Sequence, residues 1–205
     1  MPMNVYATES TEEPVASNEL EEVASGDCGE NGNNVHWVLD ATGILTITGS
    51  GAMTDYSQSC YVPTTPWYKY RKSIKKIVVE DGVTTIGAFA FYQLSYVTSI
   101  NISDDVLSFK AYAFASCNKI QEIRMPNNLQ YIANYCFEDC KALKKITIPE
   151  CVTKLGDHVF NRCTSLKDVQ LPSNMSILPQ GFFSECGSLE VITLPNSITE
   201  FAPYC

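Results

Sequence analysis

The side chains best suited to chemistry in this chain are nine cysteines and two histidines. Four of the cysteines recur at a spacing of 23 residues, at Cys117, Cys140, Cys163 and Cys186. A ladder of thiols could carry redox chemistry or bind a metal, whereas a buried thiol packs as a small apolar side chain. Leu94 occupies the same position one period earlier, so apolar volume is what the position requires. We predict packed thiols without disulfides, because side chains in register point the same way and suit the disulfide torsion poorly.

The other candidate ligands and nucleophiles do not form a recognisable site. Cys136-x-x-x-Cys140 and His158-x-x-x-x-Cys163 place potential zinc ligands near one another, but no paired C-x-x-C set accompanies them. There are only two histidines, and no Gly-x-Ser-x-Gly element marks a nucleophile, so hydrolase chemistry has no support. We therefore predict no catalytic residue, no cofactor and no metal site.

The elements that position these side chains follow from the 23-residue period. The period is plainest in one aromatic column, which contains Phe91, Phe114, Phe137, Phe160 and Phe183. Two apolar columns, one starting at Ile77 and one at Val79, lie two residues apart, so they share one face of a strand. Proline ends that strand in four of the units, at Pro126, Pro149, Pro172 and Pro195. A fixed period of roughly 20–29 residues with this pattern is typical of a leucine-rich repeat.

The repeat resembles that of a particular family. Residues Leu143–Cys163 closely follow Leu-x-x-Ile-x-Ile-Pro-x-x-Val-Thr-x-Ile-Gly-x-x-Ala-Phe-x-x-Cys, the pattern of the BspA-type bacterial leucine-rich repeat. The resemblance covers residues 74–205, with Lys110 and Pro179 in place of the glycine. It implies a mainly β leucine-rich-repeat solenoid of about five and a half coils with short strands and turns. It also implies an exported, often cell-surface protein that binds other proteins or host matrix and has no catalytic residues.

The first 26 residues differ in composition from the repeats. Residues 1–30 hold eight acidic groups and no Lys or Arg, and residues 8–26 contain no aromatic side chain. Such a segment cannot bury enough apolar surface to offset its ordering entropy, so we predict a disordered acidic linker over 1–26. Val5-Tyr6-Ala7 fits the cleavage site of a signal peptide and predicts an export remnant, although the preceding basic and apolar regions are missing. The alternative is an ordinary disordered start.

Residues 27–72 are predicted to form an N-terminal β cap. Alternating apolar residues on both sides of the Asp40-Ala-Thr-Gly43 turn predict a β-hairpin, and a solenoid needs a cap over its first repeat. Cys28 and Cys60 both lie in this cap, and the sequence leaves a disulfide and free thiols open. The solenoid is predicted over 73–205. Its sixth repeat stops before the next expected Phe, so we expect the N-terminal fragment of a longer protein.

The charge distribution excludes some classes of partner. The formal net charge of −9 arises mostly from the acidic segment, because residues 31–205 hold 15 acidic and 14 basic side chains. The folded body therefore offers no strong field to attract nucleic acid or an anionic membrane. No stretch approaches about 20 consecutive apolar residues, so we predict no membrane span. We expect a monomer.

A largely aromatic column is one candidate partner-binding surface. The column contains Phe89, Tyr112, Tyr135, His158, Gly181 and Tyr204. In one interpretation, these rings pack across the outside of neighbouring coils. In the other, Tyr112, Tyr135 and His158 are exposed anchors for a partner, a role that aromatic side chains often have at interfaces.

The outward side of the main strand is the second candidate surface. It includes Arg124, Lys145 and Gln170, lacks aromatic residues and is mixed in charge. It is as typical of a solvated sheet face as of a binding site.

The favoured hypothesis is a non-enzymatic, secreted or cell-surface module that binds a protein or glycoprotein partner in adhesion to a host or neighbouring cell. One alternative is a structural stalk that spaces a downstream domain from the cell wall. Another is an accessory binding module of a glycan-active protein. These hypotheses share the same predicted solenoid.

Overall fold

The 23-residue period folds into stacked coils, whose short strands form two ladders along the molecule. The computed structural model describes residues 21–59 and 62–205, and it confirms the predicted mainly β solenoid preceded by a β cap. Coils 1 to 5 begin at Ile74, Val97, Ile120, Leu143 and Leu166, and the last coil spans 189–205.

The strands in chain order are β1 (Glu22–Gly29), β2 (Gly32–Asp40), β3 (Ile44–Gly49), β4 (Gly51–Ala52), β5 (Gln58–Ser59), β6 (Val62–Pro63), β7 (Lys76–Val79), β8 (Val83–Ile86), β9 (Ser99–Ile102), β10 (Ser108–Phe109), β11 (Tyr131–Ile132), β12 (Lys145–Thr147), β13 (Lys154–Leu155), β14 (Asp168–Gln170), β15 (Ile177–Leu178) and β16 (Glu200–Phe201). The described residues contain one short 3-10 helix, at Tyr68–Tyr70. The first ladder is β1-β2-β3-β7-β9, continued by β12-β14. The second is β4-β8-β10-β11-β13, continued by β15-β16.

The cap contains the predicted hairpin. Strands β2 and β3 pair antiparallel with Leu39 opposite Leu45, and the Asp40 carboxylate accepts the backbone N–H groups of Thr42 and Ile44 at 2.8 and 3.0 Å. The cap begins earlier than the predicted residue 27, because β1 starts at Glu22 and pairs antiparallel with β2. This pairing satisfies the backbone of a polar segment that would be unstructured alone. Residues 1–20 lie outside the described residues, so the linker and export signal stay predictions.

The inner end of the cap is built like a coil. Strand β3 pairs in parallel with β7, and β4 pairs in parallel with β8, so the cap begins both ladders. Trp67 is fully buried, donates its Nε1–H to the carbonyl of Ala90 at 2.9 Å and places its ring 6.0 Å from that of Phe91. Cys28 is also buried, but Cys60 lies outside the described residues, so their disulfide is not settled.

The cysteine column packs beside a core of stacked phenylalanines. Phe137 lies between Phe114 and Phe160, with ring centroids 5.3 and 5.7 Å away. Each thiol of the column is free and donates to the carbonyl of a phenylalanine in the preceding coil; Cys140, for example, bonds Phe114 at 3.2 Å. Burial raises the pKa of the Cys140 thiol to about 12. The prediction of packed thiols is confirmed, and the S–H group has a backbone acceptor that the sequence did not indicate.

Each ladder has a break. Between coils 2 and 3 the first ladder lacks the bond that joins equivalent amides of coils 3 and 4: Lys144 N–H reaches the Gln121 carbonyl at 2.8 Å, but Gln121 N–H has no acceptor among residues 21–59 and 62–205. The equivalent bond between coils 5 and 6 is also missing, since Glu190 N–H has no backbone acceptor in the same residues. Between coils 4 and 5, β13 does not pair with β15. Pro179, which has no N–H, lies at this second break, where a cavity of about 360 Å³ opens.

Candidate partner-binding site

The first ladder break opens a shallow depression on the outward side of the main strands, which we call the strand groove. Its volume is about 680 Å³, and its polar lining residues include Ser99, Asn101, Glu122, Arg124, Asn127, Lys145 and Thr147. The core residues beneath are slightly uncovered: Ile100 and Ile123 are 6% and 7% exposed, whereas Ile77 in coil 1 is fully buried. The groove therefore follows from imperfect pairing of two coils, which leaves backbone groups accessible in a polar depression.

Arg124 is held in place at one side of the strand groove. Its Nη2 lies 2.9 Å from both carboxylate oxygens of Asp104. Asp104 also accepts the backbone N–H of Asn127 at 2.8 Å. The hydrogen bond from Arg124 is the main cause that lowers the pKa of Asp104, followed by the bond from Asn127. Arg124 is thus a fixed positive group at the rim rather than a freely moving one.

The other two strand residues predicted to bind a partner also have neighbours. Lys145 Nζ lies 3.0 Å from Asp168, and it lines the groove. Gln170 accepts a hydrogen bond from the Thr147 hydroxyl at 3.1 Å and lies beside the groove rather than in it. The structure therefore brings Arg124 and Lys145 together and leaves Gln170 at the margin.

No pattern in the sequence marked Ser99, Asn101 and Glu122 as binding residues. They occupy outward positions on the main strands, where polar side chains are typical of a solvent-exposed sheet face. They line the groove beside the missing ladder bond between coils 2 and 3, which no pattern in the sequence indicates.

The aromatic column forms a continuous stack of rings. Tyr135 lies between Tyr112 and His158, with both centroid distances 4.8 Å and planes within 5° of parallel. Phe89 continues the stack at 4.7 Å from Tyr112. Burial is the main cause that raises the pKa of the Tyr112 hydroxyl to about 12. The stack supports the packing interpretation, while a role of Tyr112, Tyr135 and His158 in partner contact stays a prediction.

The backbone of the aromatic column is unusual. Tyr112, Tyr135 and His158 have φ angles of 57°, 59° and 57°, in the left-handed region that non-glycine residues rarely adopt. At the next coil the position is Gly181, where an added Cβ would lie 2.1 Å from His158 Nδ1. The stack therefore ends at His158. Gly181 has no ring to continue the stack, and the His158 ring occupies the space that a side chain at position 181 would need.

The two candidate surfaces lie on different parts of each coil. The aromatic column occupies the turns that follow the second ladder, whereas the strand groove lies on the first ladder. Across residues 21–59 and 62–205 there is no group of three or more His, Cys, Asp or Glu side chains placed to hold a metal ion. The same residues include no helix of the length and apolarity needed to cross a membrane.

Comparisons with known proteins agree with this geometry. A family model described as "BspA type Leucine rich repeat region (6 copies)" matches residues 66–150 and 84–205. None of the curated proteins matches the chain.

Solved bacterial structures share the fold. A leucine-rich repeat protein of T. pallidum is 27% identical with a TM-score of 0.63, and the match covers 80% of this chain and 81% of that protein. One from Bacteroides ovatus is 28% identical with a TM-score of 0.66, covering 84% of this chain and 49% of that one. The pneumococcal vaccine antigen PcpA, 23% identical over 62% of this chain and 35% of its own, has a TM-score of 0.53 and shows the fold alone.

Members of the matched family are often surface-associated and act typically as structural or interaction modules. The family match extends over most of the chain, and the repeat register, the stacked coils and the capped ladder are all present in the structure. This chain belongs to the BspA type leucine-rich repeat family.

Proposed function

We propose that the chain is a non-enzymatic, exported or cell-surface module that binds a protein or glycoprotein partner through the strand groove. The observation that carries this proposal is the depression of about 680 Å³ at the first ladder break. It combines strand residues of coils 2 and 4 with side chains of both charges, a mixture that specific polar recognition uses.

The ion pairs of the strand groove support recognition rather than mere solvation. A fixed Arg124 loses less conformational freedom on binding than a mobile side chain, so a partner carboxylate meets a preorganised positive group. The aromatic column supports the proposal differently, because its stacked rings keep the coils in register on the side of the molecule away from the main strands.

The proposal is tested by surface plasmon resonance of the full chain against a panel of matrix and epithelial proteins. We expect saturable binding to at least one of them. Asn101→Tyr fills the groove without adding charge and should weaken that binding at least about tenfold. Gln180→Tyr, at an exposed turn outside the groove, is the matched control and should bind like the unmodified chain.

Two results would count against the proposal. If no panel member binds saturably, a structural stalk becomes the better explanation. If Asn101→Tyr and Gln180→Tyr bind a partner equally well, the strand groove is not the binding surface.

A further inference from the structure

A group of lysines adjoins the strand groove. The cavity they line has a volume of about 400 Å³, and its lining residues are Thr98, Lys119, Gln121, Glu122, Lys144 and Lys145. We call it the lysine pocket. It shares Thr98, Glu122 and Lys145 with the strand groove, so the two form one continuous depression across the first ladder break.

Two of the ammonium groups in the lysine pocket lack a carboxylate partner. Lys145 Nζ pairs with Asp168 at 3.0 Å. Lys144 Nζ instead contacts the neutral Gln121 side chain at 3.0 Å, and Lys119 Nζ lies over the Tyr96 ring, 4.7 Å from its centroid. Neither forms an ion pair within the part of the chain that the structure describes. With Glu122 as the only acidic lining residue, the pocket has an excess of positive charge.

The pocket is also rich in uncharged hydrogen-bond donors. The backbone N–H of Gln121 has no acceptor in the described residues, because the ladder bond to coil 2 is missing. The side-chain oxygen of Gln121 is occupied by Lys144, which leaves the NH₂ group of the same amide to donate elsewhere. Ammonium groups and amide N–H groups that converge on one cavity fit an anion.

The adjoining strand groove fits hydroxyl groups. Ser99 and Asn101 are exposed on its floor, and hydroxyl and amide side chains can both donate and accept hydrogen bonds. No aromatic side chain lines either cavity, and the apolar residues of the strand groove are buried apart from the half-buried Pro149, so neither cavity offers a deep apolar pocket for a peptide anchor. A sugar chain satisfies this lining better than an apolar peptide does.

We propose that the lysine pocket and the strand groove together bind an acidic oligosaccharide. Lys119 and Lys144 hold its sulfate or carboxylate group, and Ser99 and Asn101 bind the hydroxyls of the neighbouring sugar. This inference rests on the proposed function and deepens it, since it identifies an acidic glycan as the recognised part of a glycoprotein partner.

The test measures fluorescence anisotropy of labelled oligosaccharides with the full chain. The probes are a heparin-derived fragment, which carries sulfate and carboxylate, a hyaluronan fragment, which carries carboxylate alone, and neutral dextran. We expect binding of at least one acidic probe, weakening as salt is raised because exposed charges are screened. Binding of hyaluronan shows that carboxylate suffices, whereas binding of heparin alone assigns the pocket to sulfate. Dextran binding as tight as that of the acidic probes would overturn the proposal.

Matched charge variants locate the site. Lys119→Gln with Lys144→Gln should weaken acidic-probe binding about fivefold or more. Lys110→Gln with Lys154→Gln removes the same charge on the second ladder and should leave binding unchanged. Lys119→Arg with Lys144→Arg should retain binding. Equal losses in the two glutamine pairs, or equally tight binding of a poly-glutamate peptide, would overturn the proposal.

The result is separable from the proposed function. A protein partner that binds equally well before and after enzymatic removal of its glycans would overturn the acidic-glycan proposal and leave the protein-binding function standing. If the chain binds acidic oligosaccharides through the lysine pocket but none of the panel proteins, the protein-binding function is overturned and the acidic-glycan proposal stands.

Discussion

The strand groove and the aromatic column are built on the same 23-residue period, yet they use it in opposite ways. In the column, aromatic side chains recur over four coils, and their rings stack at 4.7 to 4.8 Å, close to the spacing of paired strands. Each ring covers its neighbour, so the surface is closed. In the groove, side chains of different size and charge recur beside an interrupted ladder, so the surface stays open.

The difference between the two surfaces teaches how a repeat protein separates stability from recognition. Aromatic side chains in register stack on one another, and the resulting column holds neighbouring coils together. In the row that contains Ser99, Glu122 and Lys145, the side chain changes from coil to coil. Neighbouring side chains in such a row do not stack or pair fully with one another, so some of their polar groups stay available to a partner. Three changes to the molecule would break or sharpen this comparison.

The largest expected effect is on stability, from removing one ring of the aromatic column. Tyr135→Ala loses two stacking contacts and the apolar area they bury, so the free energy of unfolding should fall by about 2–4 kcal/mol. Urea denaturation followed by circular dichroism measures this change. Alanine keeps the left-handed backbone of this position, so backbone strain stays nearly the same.

The control for the column is Tyr131→Ala. Tyr131 is a half-buried tyrosine in β11 that contacts the Lys154 ammonium at 4.9 Å and is not part of the ring stack. Its replacement should cost about 1 kcal/mol or less. If both variants lose the same free energy of unfolding, ring stacking does not stabilise the column beyond what burial of one tyrosine contributes.

A middle-sized effect is expected on binding, from a change in the strand groove. Arg124→Gln removes the fixed positive group and should weaken partner binding about tenfold, because a partner carboxylate loses its ion pair. The free energy of unfolding should change little, since the pair with Asp104 is exposed to solvent. Paired binding and denaturation measurements on one preparation check both values.

Arg162→Gln provides the comparison for that variant. Arg162 is also exposed and lies near Asp139 and Glu185, but it is not in the strand groove. Its replacement should leave binding unaltered. Unchanged affinity in Arg124→Gln would remove the distinction between the two surfaces.

The smallest effect is a pH dependence confined to the groove rim. The pKa of Asp104 in the folded chain is lowered, first by the hydrogen bond from Arg124 and then by that from Asn127, with burial acting in the opposite direction. A lowered folded pKa means that Asp104 stabilises the fold fully above its unfolded pKa of about 3.9. That contribution is lost as the pH falls through the folded pKa.

Asp104→Asn tests this dependence through the melting temperature measured across the acidic range. The difference in melting temperature between the unmodified chain and the variant should be largest above about pH 4 and should shrink at lower pH. A difference that stays constant on acidification would show that the carboxylate charge does not hold the rim. The aromatic column should be insensitive to this change, since stacking holds it.

Much of the architecture was predictable because the repeat places every coil in the same environment. The apolar columns, the hairpin about Asp40 and the packed thiols all follow from which residue type recurs at each position. The aromatic column was also visible, although its sequence left both packing and partner contact open. The ring stack through Tyr135 now favours packing.

The candidate site was less predictable, for a physical reason. Arg124 and Lys145 were predicted from their outward strand positions. Every coil has equivalent outward positions, so the pattern alone does not single out these two residues. The groove lies where Gln121 N–H does not bond coil 2, and no residue type at these positions indicates that missing bond. The early start of the cap at Glu22 is similar, since β2 supplies the partners that the acidic segment lacks alone.

By itself, the amino-acid sequence determined the solenoid, its register and the family, because a 23-residue period in apolar residues admits few other ways to bury them. It also predicted that the cysteines of the repeat column pack as thiols. Only the tertiary structure decided where the ladders break, that Cys140 donates to Phe114, and that two lysines beside the strand groove lack carboxylate partners. Those features depend on the distances between coils, which the residue pattern of a periodic sequence does not specify.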